Sequence, residues 1–267
     1  MKRIVNKVKI FCNNNVKSNR VKKELINKLK THNFEIVSVG YDLGIAIGGD
    51  GAFLRMVKET NFNSDVYYIG VDTGTLGFAQ EVNAEYLDDF IIKLNENTYK
   101  VEKIGIEEVT VEYEKKQEKL YALNEITIRD MELNTCKLDI FIEDHLLEHF
   151  VGDGILVSTS FGSTAYNLSF GGAIIYNSLH ALQISSIAPL NSKAYRSLSN
   201  SVVIPQDKEI KIKPNASKSS LIITVDGENI FYDNVKSIKT VVKNKCIKCF
   251  REKNYNFINK VNEKFLQ

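Results

Sequence analysis

The chain has 267 residues, more than one small domain needs and enough for two. Hydrophobic residues make up 43% and charged residues 25%, and 35 basic residues against 33 acidic ones leave a net charge of +2. This composition excludes a disordered chain, and the charge balance gives no field that would select nucleic acid or an anionic membrane. Cys12, Cys136, Cys246 and Cys249 are too few for a disulfide framework and point to a reducing, cytoplasmic setting. Cys246 and Cys249 form a CxxC without the second ligand pair of a structural zinc site, and are read as strand cysteines. Met1-Lys2-Arg3 is not followed by a signal-peptide core, and no run approaches the ~18 apolar residues of a membrane span, so no membrane is expected as a partner.

The first hundred residues alternate strand and helix patterns. Val8 to Cys12 reads as a strand, and Val16 to Lys30 as a helix with Val21, Leu25, Ile26 and Leu29 on one face. Phe34 to Val39 and Leu43 to Ile47 read as strands. The second is apolar throughout, as in strands buried on both faces. Ala52 to Thr60 reads as a helix with Phe53, Met56 and Val57 inward, and Val66 to Val71 as another buried strand. Asn83 is placed to cap a helix carrying Tyr86, Leu87, Phe90, Ile91 and Leu94. This order predicts an α/β domain over residues 1–100, doubly wound on a mostly parallel sheet.

Beyond residue 100 the period changes to two. Val109, Val111 and Tyr113 alternate with polar residues, as do Cys136, Leu138, Ile140 and Ile142, and Ile210 and Ile212. Leu221 to Val225 is a further strand, and Glu114-Lys115-Lys116-Gln117 a polar turn. This predicts a β-rich, sandwich-like domain over residues 101–251. Asn254 to Gln267 is amphipathic and expected to be helical, and the segment 252–267 is expected to pack back on the first domain.

Four segments carry chemistry. Gly48-Gly49-Asp50-Gly51 lies between a buried strand and a helix, where glycines let a ligand approach the backbone and the helix amides suit phosphate. A carboxylate there would repel phosphate, so its presence calls for a separate role, either holding magnesium or accepting a proton from an attacking hydroxyl. Asp72-Thr73-Gly74-Thr75-Leu76-Gly77-Phe78 follows the next buried strand, which would bring it beside the first loop. Asn124-Glu125 interrupts an apolar strand running from Leu120 to Ile128. An amide suits an adenine edge and a carboxylate suits ribose hydroxyls, although a solvent-facing pair would look the same. Gly152-Asp153-Gly154 leads into a strand ending at Ser158-Thr159, and Gly162-Ser163-Thr164-Ala165-Tyr166 then opens a short helix. No nucleophile elbow surrounds Ser163. His145 and His149 lie in a strand pattern without the glutamate of a zinc protease helix.

In this order and spacing, the four segments resemble the NAD kinase family across nearly the whole chain. Ile187-Ala188-Pro189 and Val225-Asp226-Gly227 add to the resemblance. The GGDG loop alone is shared with lipid kinases of the diacylglycerol type; the Asn-Glu pair and the Gly-Ser-Thr-Ala-Tyr run are more specific. The resemblance implies transfer of a phosphoryl group from ATP or another donor to the 2′-hydroxyl of the adenosine ribose of NAD, with a divalent metal, magnesium, held by the donor phosphates rather than by the protein alone. Asp50 would act on that hydroxyl. Gly48, Gly49 and Gly51, with Arg55, would hold the donor phosphates. Gly74, Phe78, Asn124, Glu125, Asp153, Ser163, Thr164, Ala165, Tyr166 and Ser169 would bind NAD. A homo-oligomer, a tetramer, is implied as well. Two departures, Ala52 where the family usually has Thr and Ser160-Phe161 where it commonly has Pro-Thr, leave the choice of donor open. A GGDG-type lipid kinase and a non-catalytic NAD or NADP sensor are the alternatives.

Overall fold

The structure, a computed structural model, describes residues 3–74, 77–216 and 219–266; Met1, Lys2, Thr75, Leu76 and Gln267, named above, lie outside them. The chain forms two compact units, Met1–Ile104 with Cys246–Gln267, and Gly105–Lys245.

In the first unit, β1 (Lys7–Cys12), α1 (Val16–Thr31), β2 (Glu35–Ile36), β3 (Leu43–Ile47), α2 (Asp50–Glu59), β4 (Tyr67–Asp72), β5 (Val82–Asn83) and α3 (Leu87–Glu96) follow one another. The strands pair in parallel in the order β2-β1-β3-β4, with β5 along β4. Every residue of β3 is buried, because helices cover both faces of the sheet. Val21, Leu25 and Leu29 of α1 pack with Leu87, Phe90 and Leu94 of α3 over Leu43, Ile45 and Ile47. On the other face Gly44 leaves room for Met56 of α2, with Phe11 and Tyr68 beside it. Asn15 caps α1 by accepting the Ser18 N–H at 2.8 Å. The strand read over Phe34 to Val39 pairs only at Glu35 and Ile36, with one more bond from Val37 N–H to Val8 O at 2.9 Å.

The second unit contains most of β6 (Lys100–Tyr113), then β7 (Lys116–Ala122), β8 (Glu125–Asp130), β9 (Cys136–Ile142), β10 (His145–Gly152) and β11 (Gly154–Thr159). There follow α4 (Tyr166–Ser169), β12 (Ala181–Ile187), β13 (Val202–Pro205), β14 (Ile210–Pro214), β15 (Leu221–Val225), β16 (Glu228–Tyr232) and the long β17 (Val235–Arg251). One antiparallel sheet runs β13-β12-β11-β8-β15-β16; a second contains β10-β9-β14 with the first part of β17, and β6 and β7 form a hairpin. Their inward residues share one core, with Ile126, Ile128, Val157 and Ile184 among those from the first sheet and Leu138, Ile140, Ile212 and Ile238 among those from the second. This is a sandwich.

The chain rejoins the first unit at Cys246, inside β17, earlier than the Glu252 expected from the pattern. The reason is pairing: Lys248 and Cys249 align in parallel with Tyr67 and Tyr68 of β4. Cys246 is half-buried and Cys249 buried, both free, and burial pushes the Cys249 thiol up to about 12. Arg251 follows, buried, donating through Nη1 to Glu81 at 3.0 Å and through Nε to Glu102 at 2.7 Å. Burial disfavours the charged guanidinium, but the carboxylates of Glu102 and Glu81 outweigh it and raise its hold on the proton. Helix α5 (Phe257–Phe265) ends the unit, capped by Asn256. Arg251→Met leaves two carboxylates without their partner and is expected to destabilise the protein by about 3–5 kcal/mol. Urea unfolding checks this; an unchanged midpoint contradicts it.

Candidate functional site

The first unit builds its loop cluster at the carboxyl ends of β3 and β4. Gly48 sits at φ +148°, and a Cβ there would strike Asn13 and Ala52 at 2.6 and 2.8 Å. Gly49 is the N-cap of α2, which begins at Asp50, two residues before the sequence pattern placed it. Asp50 and Gly51 therefore lie in the first helical turn, where backbone N–H groups have no helical partner. Arg55, one turn on, is exposed and bonds Asn13.

The Asp50 carboxylate turns to the loop after β4. It accepts the Phe78 N–H at 3.0 Å through Oδ2 and the Ala79 N–H at 2.9 Å through Oδ1. Gly77 passes so close that a Cβ there would collide with the carboxylate. Asp72 is buried and caps the loop start, accepting the Gly74 N–H at 3.2 Å. Two anionic side chains thus hold one loop by its amides. Asp50 and Phe78 are brought together; Gly74 is a loop residue with open space above it.

In the second unit the reading of one strand from Leu120 to Ile128 is corrected. β7 stops at Ala122 and β8 starts at Glu125, with a bend at Leu123 and Asn124. The cause is Asp226, whose carboxylate accepts the N–H groups of Leu123, Asn124 and Glu125 at 2.7, 2.8 and 3.3 Å. Asp226 (φ +46°) and Gly227 (φ +88°) form the tight turn of the β15–β16 hairpin, where Asp-Gly is favoured.

The other side of the bend is closed by the end of β11. Thr159 Oγ1 donates to Leu123 O at 2.7 Å, and Thr159 N–H to Asn124 O at 2.9 Å. Gly162 lies against the Asn124 backbone, where a Cβ would not fit. The Ser163 hydroxyl is buried, donating to Ser160 O at 2.8 Å and accepting the Ile175 N–H at 3.0 Å. Its place is inside the loop rather than on its surface. Sequence reasoning missed Asn167, which is fully buried. Its Oδ1 accepts from Gln183 Nε2 at 2.6 Å and Ser185 Oγ at 2.8 Å, and its Nδ2 donates to Ser163 O at 3.2 Å. The available signal was Gln183, a polar residue in the otherwise apolar start of β12.

Glu125 and Tyr166 line a cavity of about 430 Å3 with Thr127, Arg129, Ile222, Thr224 and Asn229. Tyr166 is half-exposed, with its ring edge-on to Phe170 at 4.8 Å. Asn124, Asp153, Ser163, Thr164, Ala165 and Ser169 do not line this cavity; Asp153 is exposed on the turn before β11. A larger hollow of about 850 Å3 around His149, Tyr195 and Arg196 contains none of them.

Burial, reinforced by the charge of Asp226, pushes Glu125 up to about 8, against a hydrogen bond from the Tyr166 backbone. Glu107 on β6, fully buried, is pushed well above its ordinary value by burial, although Thr240 Oγ1 donates to it at 2.6 Å. Glu125 therefore carries a proton at neutral pH and can both donate to and accept from a ligand.

A glycine-rich loop at a helix N-terminus with a carboxylate in its midst, at the carboxyl ends of strands in a doubly wound sheet, is the arrangement of a phosphate-binding enzyme site. The family model for the ATP-NAD kinase C-terminal domain matches residues 123–248. The NAD kinase of Finegoldia magna is 39% identical over 237 residues, covering 85% of this chain and 86% of its own. NAD kinase 2 of Bacillus subtilis is 32% identical, with 97% of each chain covered. In fold, the crystal structure of yeast NADH kinase complexed with NADH matches with a TM-score of 0.86 at 21% identity, over 99% of this chain and 88% of that one. An NAD kinase from Archaeoglobus fulgidus in complex with ATP matches with a TM-score of 0.75 at 19% identity, over 96% and 98%. The chain belongs to the NAD kinase family.

The raised Glu125 has a consequence for stability. The folded state retains a proton that an unfolded glutamate gives up near pH 4.5, so this contribution is complete below that pH and is lost as pH rises through about 8. Glu125→Gln is expected to remove that decline, giving urea midpoints that fall less than those of the wild type across this window. Parallel curves for the two proteins would contradict it.

Proposed function

We propose that this chain phosphorylates NAD on the 2′-hydroxyl of its adenosine ribose, with ATP as donor, yielding NADP. Family membership supports the reaction class, and Asp50 carries the chemical argument. Each of its oxygens accepts one backbone N–H and keeps a further lone pair, so the carboxylate is held firmly yet remains able to accept a proton from a hydroxyl.

In this reading the first unit handles the transferred group. Amides at the start of α2, with Gly48, Gly49 and Gly51, receive donor phosphates, and Arg55 adds an exposed positive charge. The second unit handles the dinucleotide. Asn124 offers both donor and acceptor to adenine. The protonated Glu125 bonds ribose hydroxyls, and Tyr166, with Thr164, Ala165 and Ser169, packs beside the bases. Asp153 reaches the nicotinamide side, Gly74 and Phe78 line the acceptor's approach, and Ser163 supports the loop from within.

Among the described residues no group of three His, Cys, Asp or Glu side chains gathers to cage a metal. A divalent ion, magnesium, would be held mainly by the donor phosphates, oxygen ligands of the kind it favours. Bound there, it supplies neutralisation of phosphate charge. The proposal extends to a cytoplasmic homotetramer, which the family resemblance and the four free cysteines support. Among the described residues no helix is long and apolar enough to cross a membrane.

A coupled assay with NAD, ATP and magnesium, reading NADP through an NADP-specific dehydrogenase, tests the reading. Asp50→Asn is expected to lower kcat by about 10²–10⁴-fold with little change in NAD affinity by calorimetry. A variant with full activity would make Asp50 structural and the proposed chemistry wrong.

A further inference from the structure

Lys260, on α5, is almost fully buried, an environment a lysine enters only with partners. Its Nζ donates to Phe78 O at 3.2 Å and to Gln80 O, and Glu81 Oε2 lies 4.0 Å away. The peptide that presents the Phe78 carbonyl is the same peptide whose N–H, that of Ala79, donates to Asp50 Oδ1. One amide group therefore joins an ammonium to the Asp50 carboxylate, and aligned hydrogen bonds of this kind polarise one another. The same helix also holds the side chain of this loop: the Phe78 ring stacks on Phe265 at 5.4 Å and lies 6.2 Å from Phe257.

Resting on the reading of Asp50 given above, we propose that Lys260 is a positioning residue for phosphoryl transfer, fixing and polarising the Phe78–Ala79 peptide that holds the Asp50 carboxylate in its working orientation. A loop fixed only by Asp50 would move with Asp50. Anchored to α5 on its carbonyl side, it gives Asp50 a fixed surface to bond. The C-terminal helix thereby becomes part of the support of the reacting group.

The groups facing Lys260 define its pH behaviour. Arg251 comes from β17, Glu81 from the segment before β5, Glu102 from β6 and Asp50 from α2, and the Tyr255 ring centroid lies 5.5 Å from Nζ. Burial, with Arg251, pushes the ammonium down to about 8, while Glu81, Asp50 and Glu102 oppose the shift. Above that pH the relay loses its positive end, so the wild-type kcat falls on the alkaline side.

The test compares Lys260→Met and Asp50→Asn with the wild type in steady-state kinetics against pH, with thermal melting of each. Met fills the same space without charge. The expected result for Lys260→Met is a kcat lower by about 10- to 100-fold at neutral pH, a KM for NAD within about twofold, and a smaller fall of kcat above about pH 8 than in the wild type, the remainder being that of Glu125. An unchanged kcat overturns the proposal. So does a loss of kcat with a matching rise in KM and an unaltered pH profile, which marks a merely structural role. If Lys260→Met does not fold, Lys260→Arg replaces it: the guanidinium keeps its charge, so the alkaline limb must move upward, and an unmoved limb overturns the proposal. If Asp50→Asn keeps full kcat, the reading of Asp50 falls whatever Lys260 does. If Asp50→Asn collapses and Lys260→Met does not change, only the role of Lys260 falls.

Discussion

A carboxylate that accepts two or three backbone N–H groups is the constraint on which both units depend. In the first unit Asp50 takes the amides of Phe78 and Ala79 and thereby ties the N-terminus of α2 to the loop after β4. A glycine loop by itself is a flexible turn; one whose central carboxylate is bonded on both oxygens is a fixed surface. The glycines allow that approach. Gly77 has no Cβ to collide with Asp50, and Gly48 adopts a backbone angle that side chains rarely tolerate.

The second unit uses the same device in different surroundings. Asp226, placed by a tight hairpin turn, draws three successive amides into a bend between β7 and β8. The bend breaks what would otherwise be one apolar strand and brings Glu125 to the edge of a polar cavity. Burial, reinforced by the same negative charge, pushes Glu125 up to about 8. Behind the bend, Asn167, Gln183 and Ser185 form a buried, mutually satisfied network that holds the loop containing Gly162. Such networks define a single arrangement because any alternative leaves buried polar atoms unpaired.

Much of this was legible in the sequence because it depends on local pattern. The all-apolar β3, the amphipathic α1 and the inward face of α2 follow from period alone, and the GGDG loop follows from its position between a buried strand and a helix. The period-2 segments around residues 109 and 138 pointed to the sandwich. What was not legible depends on partners distant in the chain. Nothing local to Leu123 and Asn124 announces a bend, because its cause lies about a hundred residues away at Asp226. Lys260 looks like any lysine of an amphipathic helix until the helix packs and its ammonium meets the carbonyls of Phe78 and Gln80. The end of β17 reads as a continuation of the β-rich region, and only its parallel pairing with β4 assigns residues from Cys246 onward to the first unit.

The position of the new phosphate on the sugar is tested most directly by product analysis. Wild-type protein incubated with NAD, ATP and magnesium should yield a dinucleotide whose phosphorus and proton NMR spectra place the new phosphate on the 2′-oxygen of the adenosine ribose, with ADP formed in equal amount. A phosphate found on any other hydroxyl, or ADP formed without a phosphorylated dinucleotide, would contradict the assignment of Asp50 to that hydroxyl.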